Sequence, residues 1–583
     1  MARATGGRAG RHLRRSKALP INPAPPGGFG GQYKPLSMSD MEQIYDVALR
    51  LLEELGVGEV PDRLRDLFVQ QGARFESGRI YIPRRLIAQA VAAAPKTITL
   101  HGRDPARSIE VGGDRVHFGT GGAAVQTLDL DSGDYRASTL QDLYDFARLQ
   151  DQLTNVSWFT RCCVATDLVG EEALDINTAY ALLAGTSKPV ATSFTLADHV
   201  APIVKMMDMA EGREGAFSER PWLAAHISPM ISPLRFGADA VEVCFECVAH
   251  NITVSCITAA QSGATAPATP AAFLAQSLAE TLAALAMVHV MKPGHPMIFS
   301  NWPFVIDLRS GAFSGGGGEI ALMNAASAQL SNWLGLVSGV ASSMTDSKAI
   351  DAQYGAEKGV TALAAALSGA NMIYESAGMT AALLGVSFEG FVLDNDMLGN
   401  IYRMLRGIEV TDENLGFDVI VDVVQGEGHF LGHPQTMAAM ERDYFYPETA
   451  DREAPITWRE RGSMDAQTRA KATARTLLQR HPTYLSAQAD ARIRGRKKMV
   501  SWSGFMSKSA RPGAWMGLIP NSAMICARMT WTGLWMCWKG QSPVCQPLRK
   551  LASNRWSMAP SPIPSTATLW LGRFPASATP FAS

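Results

Sequence analysis

Short runs of β-branched and apolar residues return along this chain at a nearly even step, and that rhythm limits the fold more than any motif. The runs begin near Val116, Val156, Val190, Trp222, Ile252, Met297, Leu336 and Met372, at intervals of 40, 34, 32, 30, 45, 39 and 36 residues. Between them lie amphipathic stretches such as "TLQDLYDFARLQD", "RFGADAVEVCFECVAHN" and "EIALMNAASAQLSNWLG". Strands separated by helices are joined by crossovers and pair in parallel. Eight such units predict an α/β fold, a closed (β/α)8 TIM barrel with an N-terminal helical segment and a C-terminal helical extension. A doubly wound sheet is the alternative, but it needs a glycine-rich phosphate turn after its first strand. "HFGTGGAAVQ" lacks the G-x-G-x-x-G spacing and runs into a hairpin-like "LDLDSGD".

The rhythm divides the chain. Residues 1–37 are basic, then rich in Pro and Gly, and read as a flexible arm against a partner subunit or as a transit peptide. Residues 38–114 form an N-terminal helical and mixed segment. Its helical pattern runs from Met38 to about Gly72, with Leu51, Leu52 and Leu55 on one face. Residues 115–450 hold the barrel and further helices, and residues 451–494 a last helical segment. All 54 Asp and Glu lie before residue 491, whereas 13 of the 53 Lys and Arg lie after residue 490. The near-neutral total therefore splits into −14 and +13. The tail, residues 495–583, also holds seven of the twelve Trp without helical or strand period, and reads as a shifted-frame translation rather than a nucleic-acid arm.

Composition narrows the class. Hydrophobic residues make up 47%, enough for a large core, yet no apolar stretch reaches the roughly 18 residues of a membrane span. The nearest, "FLAQSLAETLAALAMVHVM", is interrupted by Glu280 and reads as a buried helix. Neither a nucleic-acid nor a membrane partner is expected. Cys244 and Cys247 form a lone C-x-x-C on a helical pattern, which points to buried thiols, a reducing compartment and a cytoplasmic location.

A barrel places chemistry just beyond the carboxyl ends of its strands. Those positions hold Thr120 and Gly121, Arg161, Thr192 and Ser193, His226 and Ser228, Thr258, Asn301 and Trp302, the cluster Ser342–Ser347, and Tyr374 with Glu375. The small residues after the seventh strand, "GVASSMTDSK", suggest a mouth left open for something large. Metal hydrolysis wants clustered His and carboxylate ligands. His117 and His226 stand alone on their strands, and His429 and His433 in "HFLGH" lack a zincin glutamate. No directly bound metal is expected.

"DSKAIDAQYGAEKGVTALAAALSGANMIYESAGM" resembles the strand-seven to strand-eight region of the trimethylamine methyltransferase family, the corrinoid-dependent methylamine enzymes. "HISPMISPLRF", "FSGGGGEIALMNAASAQL" and "SFEGFVLDNDML" are similar as well, and the resemblance covers roughly residues 35–494. It implies a (β/α)8 barrel that delivers a methyl group to a reduced Co(I) corrinoid (cobalamin) carried by a separate corrinoid protein. In archaeal members a pyrrolysine precedes the D-S-K motif; here that place falls within Ala341-Ser342-Ser343-Met344. A quaternary ammonium needs no activation by such a residue, because its amine leaves neutral. The resemblance and the departure together imply a quaternary amine, glycine betaine first. A non-catalytic betaine binder and a trimethylamine-type enzyme are the alternatives, and a homo-oligomer is expected.

Site expectations follow from that chemistry. Trp302 and Tyr354 are expected to wall the cation through their aromatic faces, with Asn301, Ser343 and Glu319 in the substrate shell. Glu375 is expected to face the positive charge, and His226 to serve as a donor to a substrate carboxylate or on the corrinoid side. Asp346 is expected in the catalytic group or as a loop anchor. Each has a structural alternative, as a packed aromatic, a core histidine, a helix cap or a salt bridge.

Overall fold

A computed structural model of the chain describes residues 22–494 except 483; the expectations for residues 1–21 and 495–583 lie outside the described residues. Eight strands form one parallel sheet: β1 His117–Phe118, β2 Phe159–Thr160, β3 Val190–Thr192, β4 Leu223–Ile227, β5 Val254–Thr258, β6 Met297–Asn301, β7 Ser338–Ala341 and β8 Met372–Tyr374. The order is β1-β8-β7-β6-β5-β4-β3-β2, and every pairing is parallel. The two end strands also meet. Gly119 forms a parallel bridge with Trp158, and the Ser157 N–H donates to the Phe118 carbonyl at 2.8 Å.

A long helix follows each strand: α1 Leu140–Asp151, α2 Glu171–Gly185, α3 Val200–Glu211, α4 Ala238–Ala249, α5 Pro270–Met291, α6 Gly318–Trp333, α7 Ala352–Leu367 and α8 Phe388–Leu405. Local chemistry sets their starts. Thr139 and Asp142 build a capping box at the head of α1, and the Asp351 side chain accepts from the Tyr354 N–H at the head of α7. The apolar helix α5 is buried along most of its length. Its Glu280 carboxylate accepts from Ser232 Oγ at 2.6 Å and the Leu234 N–H at 2.9 Å, so the one acid in that apolar run is satisfied. Cys244 and Cys247 lie on α4 as buried free thiols.

The N-terminal segment departs from expectation. Its helix spans Met38–Arg50, passes into a π-helical turn at Leu51–Leu55, and ends at Gly56 with φ +72°. The wider turn breaks the common face: Leu52 is fully buried while Leu55 is exposed. A second helix, Asp62–Gln70, follows separately.

The loops beyond the strand tips are built up. The hairpin expected after β1 is present, with Gln126–Leu128 antiparallel to Tyr135–Ala137, and it pairs with Gly385–Ser387 from the loop after β8. Gln261–Ser262, Phe304–Ile306 and Phe313–Ser314 form a small sheet from the loops after β5 and β6. Beneath these layers Trp302, Ser343 and Glu375 are all buried. The open mouth suggested by the small residues is therefore not what they provide.

Candidate active site

Tyr374, the last residue of β8, stands at the centre of an aromatic group inside the sheet. Its ring centroid lies 4.5 Å from that of Trp158, 4.9 Å from Trp302 and 5.0 Å from His226. Its hydroxyl is 3.0 Å from Ser255 Oγ, which is 2.8 Å from Ser300 Oγ. Small residues make the room. A Cβ on Gly339 would stand 2.4 Å from Ser300 Oγ and 3.0 Å from the Tyr374 ring, and one on Gly119 would lie within 2.0 Å of the Trp158 ring. The glycines of these strands thus admit large neighbours instead of leaving a void.

His226 is held neutral, its pKa pushed down to about 3 by burial and, secondarily, by the Arg161 cation. Its ring is partly exposed by surface area although it lies deep in the protein, because it borders a small hollow of about 10 Å³ shared with Trp158. The tautomer follows from its neighbours. The Thr160 hydroxyl donates its single proton to the Ala191 carbonyl at 3.0 Å, so His226 Nδ1, 3.2 Å away, must be the donor to Thr160 Oγ1. Nε2 is then a buried lone pair without a protein partner. A donor role toward a substrate carboxylate does not fit that tautomer; buried Arg161 fits it better.

Glu375 occupies the rim. It has φ +65°, it is fully buried, and neither carboxyl oxygen has a hydrogen-bond partner in the protein. Burial pushes its pKa up to about 8. The Lys358 ammonium and the Gly122 N–H pull the other way; the N–H is close enough to favour the charge but outside hydrogen-bond geometry. Gly121 and Gly122 are where this carboxyl rests, since added Cβ atoms would come within 2.6 Å of Oε1 and 2.7 Å of Oε2. The "GTGG" after β1 is therefore a seat for a carboxyl group, not a phosphate turn.

Lys358, on α7, went unmarked in the sequence because a lysine in a helix usually faces solvent. Here it is fully buried. Its Nζ donates to the Ser343 carbonyl at 2.5 Å and the Glu375 carbonyl at 3.4 Å, and lies 3.3 Å from Asp394 Oδ2. Asp394 also accepts from the Tyr354 hydroxyl and the Gly378 N–H, both at 2.7 Å. Burial pushes the lysine down and the aspartate up.

Other expected site residues stand elsewhere. Tyr354 is committed to Asp394 between α7 and α8, beside a cavity of about 600 Å³ in the helix layer, so it stands apart from the aromatic group around Tyr374. Asn301 alternates with Ser300 and Trp302 and so turns to the opposite side. Cys256, two residues before Thr258 (the neighbour of Asn301 across the pair), has its free thiol hydrogen-bonded with that of Cys244 on α4, which marks that side as the helix side. Both polar atoms of Asn301 are buried and unpartnered there. Asp346 uses one oxygen on Ser314 Oγ at 2.9 Å and the other on the Gly315 N–H at 2.6 Å, so it anchors a loop. Glu319 is exposed in the first turn of α6, where a carboxylate complements the helix dipole. Ser343 is buried at the tip of β7, its carbonyl taken by Lys358. Trp158 was missed because only the start of the second run, near Val156, was marked. Among the described residues no three His, Cys, Asp or Glu gather as a metal site.

The family model and the sequence relatives agree on one family. The family model for trimethylamine methyltransferase (MTTB) matches residues 3–495. A glycine betaine methyltransferase of Desulfitobacterium hafniense strain Y51 is 28% identical over 79% of this chain and 96% of its own. A trimethylamine methyltransferase MttB from strain DSM 10664 / DCB-2 of the same species is 31% identical over 78% of this chain and 90% of its own. A dihydropteroate synthase structure from Xanthomonas albilineans aligns with 50% of this chain and 94% of its own at 12% identity and a TM-score of 0.30, which carries no argument. With a family match that spans all the described residues, the chain belongs to the trimethylamine methyltransferase family.

Proposed function

We propose that this protein moves a methyl group from a quaternary amine, glycine betaine foremost, to the Co(I) corrinoid of a separate protein, within a closed (β/α)8 barrel. The Gly119–Trp158 bridge supports closure. The observation that carries the function is Glu375: a fully buried carboxyl with two unpartnered oxygens, chain-adjacent to the Tyr374–Trp302–Trp158 group. A buried acid without partners costs stability unless something completes it. A permanent cation beside aromatic faces does so, gaining cation–π attraction from the rings and Coulomb attraction once Glu375 ionises.

The donor set suits a small cation, and the corrinoid is a co-substrate brought by its own protein, as the family resemblance implies. The chain's residues hold the cation, exclude water and aim one methyl group outward; most of the acceleration comes from that positioning. Arg161 is the buried counter-charge available to a betaine carboxylate. His226 stays neutral and moves no proton. The substrate's amine leaves neutral, so the ordinary residues Ala341–Met344 suffice where archaeal relatives carry pyrrolysine.

The test uses purified protein with cob(I)alamin as acceptor and glycine betaine as donor, read by the visible spectrum of methylated cobalamin and by NMR loss of one betaine methyl. Transfer supports the proposal. Betaine binding without transfer supports the non-catalytic reading, and transfer from trimethylamine alone overturns the quaternary substrate.

A further inference from the structure

After α8 the chain does not return to the strand tips. Leu405, the end of α8, packs against Gly28, and Gly27 bonds to Val116 at the start of β1. Arg403 and Arg406 bind the Asp443 and Arg442 carbonyls, so residues 406–443 leave from and rejoin the foot of the barrel. Helix α9, Phe417–Gln425, hangs in this excursion, and α10, Pro434–Arg442, runs back. The segment is therefore no lid over the mouth.

Helix α9 is apolar on two sides. Val423 is buried, whereas Phe417, Ile420, Val421 and Val424 recur at i, i+3, i+4 and i+7 and so form a single separate stripe. Phe417 is 73% exposed, Val424 71% and Ile420 49%. The following loop folds back on the helix, with His433 Nε2 3.9 Å from Asp422, and adds exposed Phe430 and Leu431; Leu415 precedes it. The six exposed side chains, at on the order of 100 Å² each, reach the upper end of the ~300–600 Å² patch of a monomer and approach the ~800 Å² that one partner gives a standard interface.

We propose that this α9 stripe is the contact with a second copy of this chain. The corrinoid protein is the wrong occupant on the functional reading above, because it must reach Trp302 and Glu375 at the opposite end of the sheet. A short apolar stripe at a terminus of the barrel can pair with its own copy across a two-fold axis, which needs only self-complementarity.

Sedimentation velocity on the full chain, with wild type, Ile420→Glu/Val424→Glu, and Val69→Glu as an exposed control on another helix, tests this. Wild type and V69E are expected to sediment as an oligomer at micromolar concentration, and the double variant to shift at least tenfold toward monomer with an unchanged circular dichroism spectrum. Phe417→Glu is a second variant should the first unfold. A monomeric wild type, or oligomers that survive both variants, overturns the proposal. So does binding of a corrinoid protein that is lost in the stripe variants. None of these outcomes depends on whether betaine is the substrate.

Discussion

Ser343 and Glu375, non-glycine residues at neighbouring strand tips, both adopt left-handed backbone, at φ +64° and +65°, and both give their carbonyl oxygens to Lys358 Nζ. Left-handed backbone is costly for such residues and persists only where the surroundings impose it. A buried cation that prefers those two carbonyls supplies that constraint, and so fixes where the Glu375 carboxyl emerges.

Lys358→Met removes one partner of a buried ion pair and leaves Asp394 uncompensated. A loss of about 3–5 kcal/mol is expected in urea unfolding. The double variant Lys358→Met/Asp394→Leu is expected to lose less than the sum of the singles, because the stranded charge is gone.

Glu375 gives stability a pH slope. Its folded pKa of about 8 lies above the ordinary 4.5, so between these values the folded state keeps a proton the unfolded state has released. Stability therefore falls as pH rises through that window and levels off above it, by about 5 kcal/mol at most. Glu375→Gln is expected to flatten the slope in unfolding curves between pH 5 and 8.5. In the native protein a quaternary cation that draws out the ionised form is expected to bind more tightly as pH rises toward 8, with proton release measurable by calorimetry in two buffers.

Gly121→Ala places a methyl group 2.6 Å from Glu375 Oε1. The carboxyl must shift, and quaternary amine affinity is expected to fall at least tenfold by calorimetry while the fold is kept.

Trp302 packs in the aromatic group around Tyr374, whereas Tyr354 belongs to the helix layer. Trp302→Leu is expected to weaken cation binding by about 0.5–2 kcal/mol, as lost cation–π contact does. Tyr354→Phe is expected to cost about 1 kcal/mol of stability through its bond to Asp394 and to leave affinity unchanged. The reverse pattern would return Tyr354 to the substrate shell.

Much of the fold was legible because hydrophobic periodicity is a local property. The observed strands begin at residues 117, 159, 190, 223, 254, 297, 338 and 372, within three residues of the runs read from sequence. The hairpin after β1 was equally local. The π turn at Leu51–Leu55 was not, since nothing in "LLEEL" distinguishes it from an α-turn. At the site, Trp302, Glu375 and His226 were marked from strand-tip position alone, and strand-tip position does not say which way a side chain points. Asn301 was lost to a shift of one residue in alternation, Tyr354 to a partner on α8, and Asp346 to partners in another loop.

The sequence by itself determined the order and period of the elements, the buried character of α5, and family membership, because each rests on neighbours in the chain or on motif identity. Only the tertiary structure decided that Lys358 is a buried clamp, that Gly121 and Gly122 seat the Glu375 carboxyl, and that the Thr160 hydroxyl fixes the His226 tautomer. These depend on distances between residues that the chain holds far apart, and on burial, which turns a solvated charge into one that must find a partner.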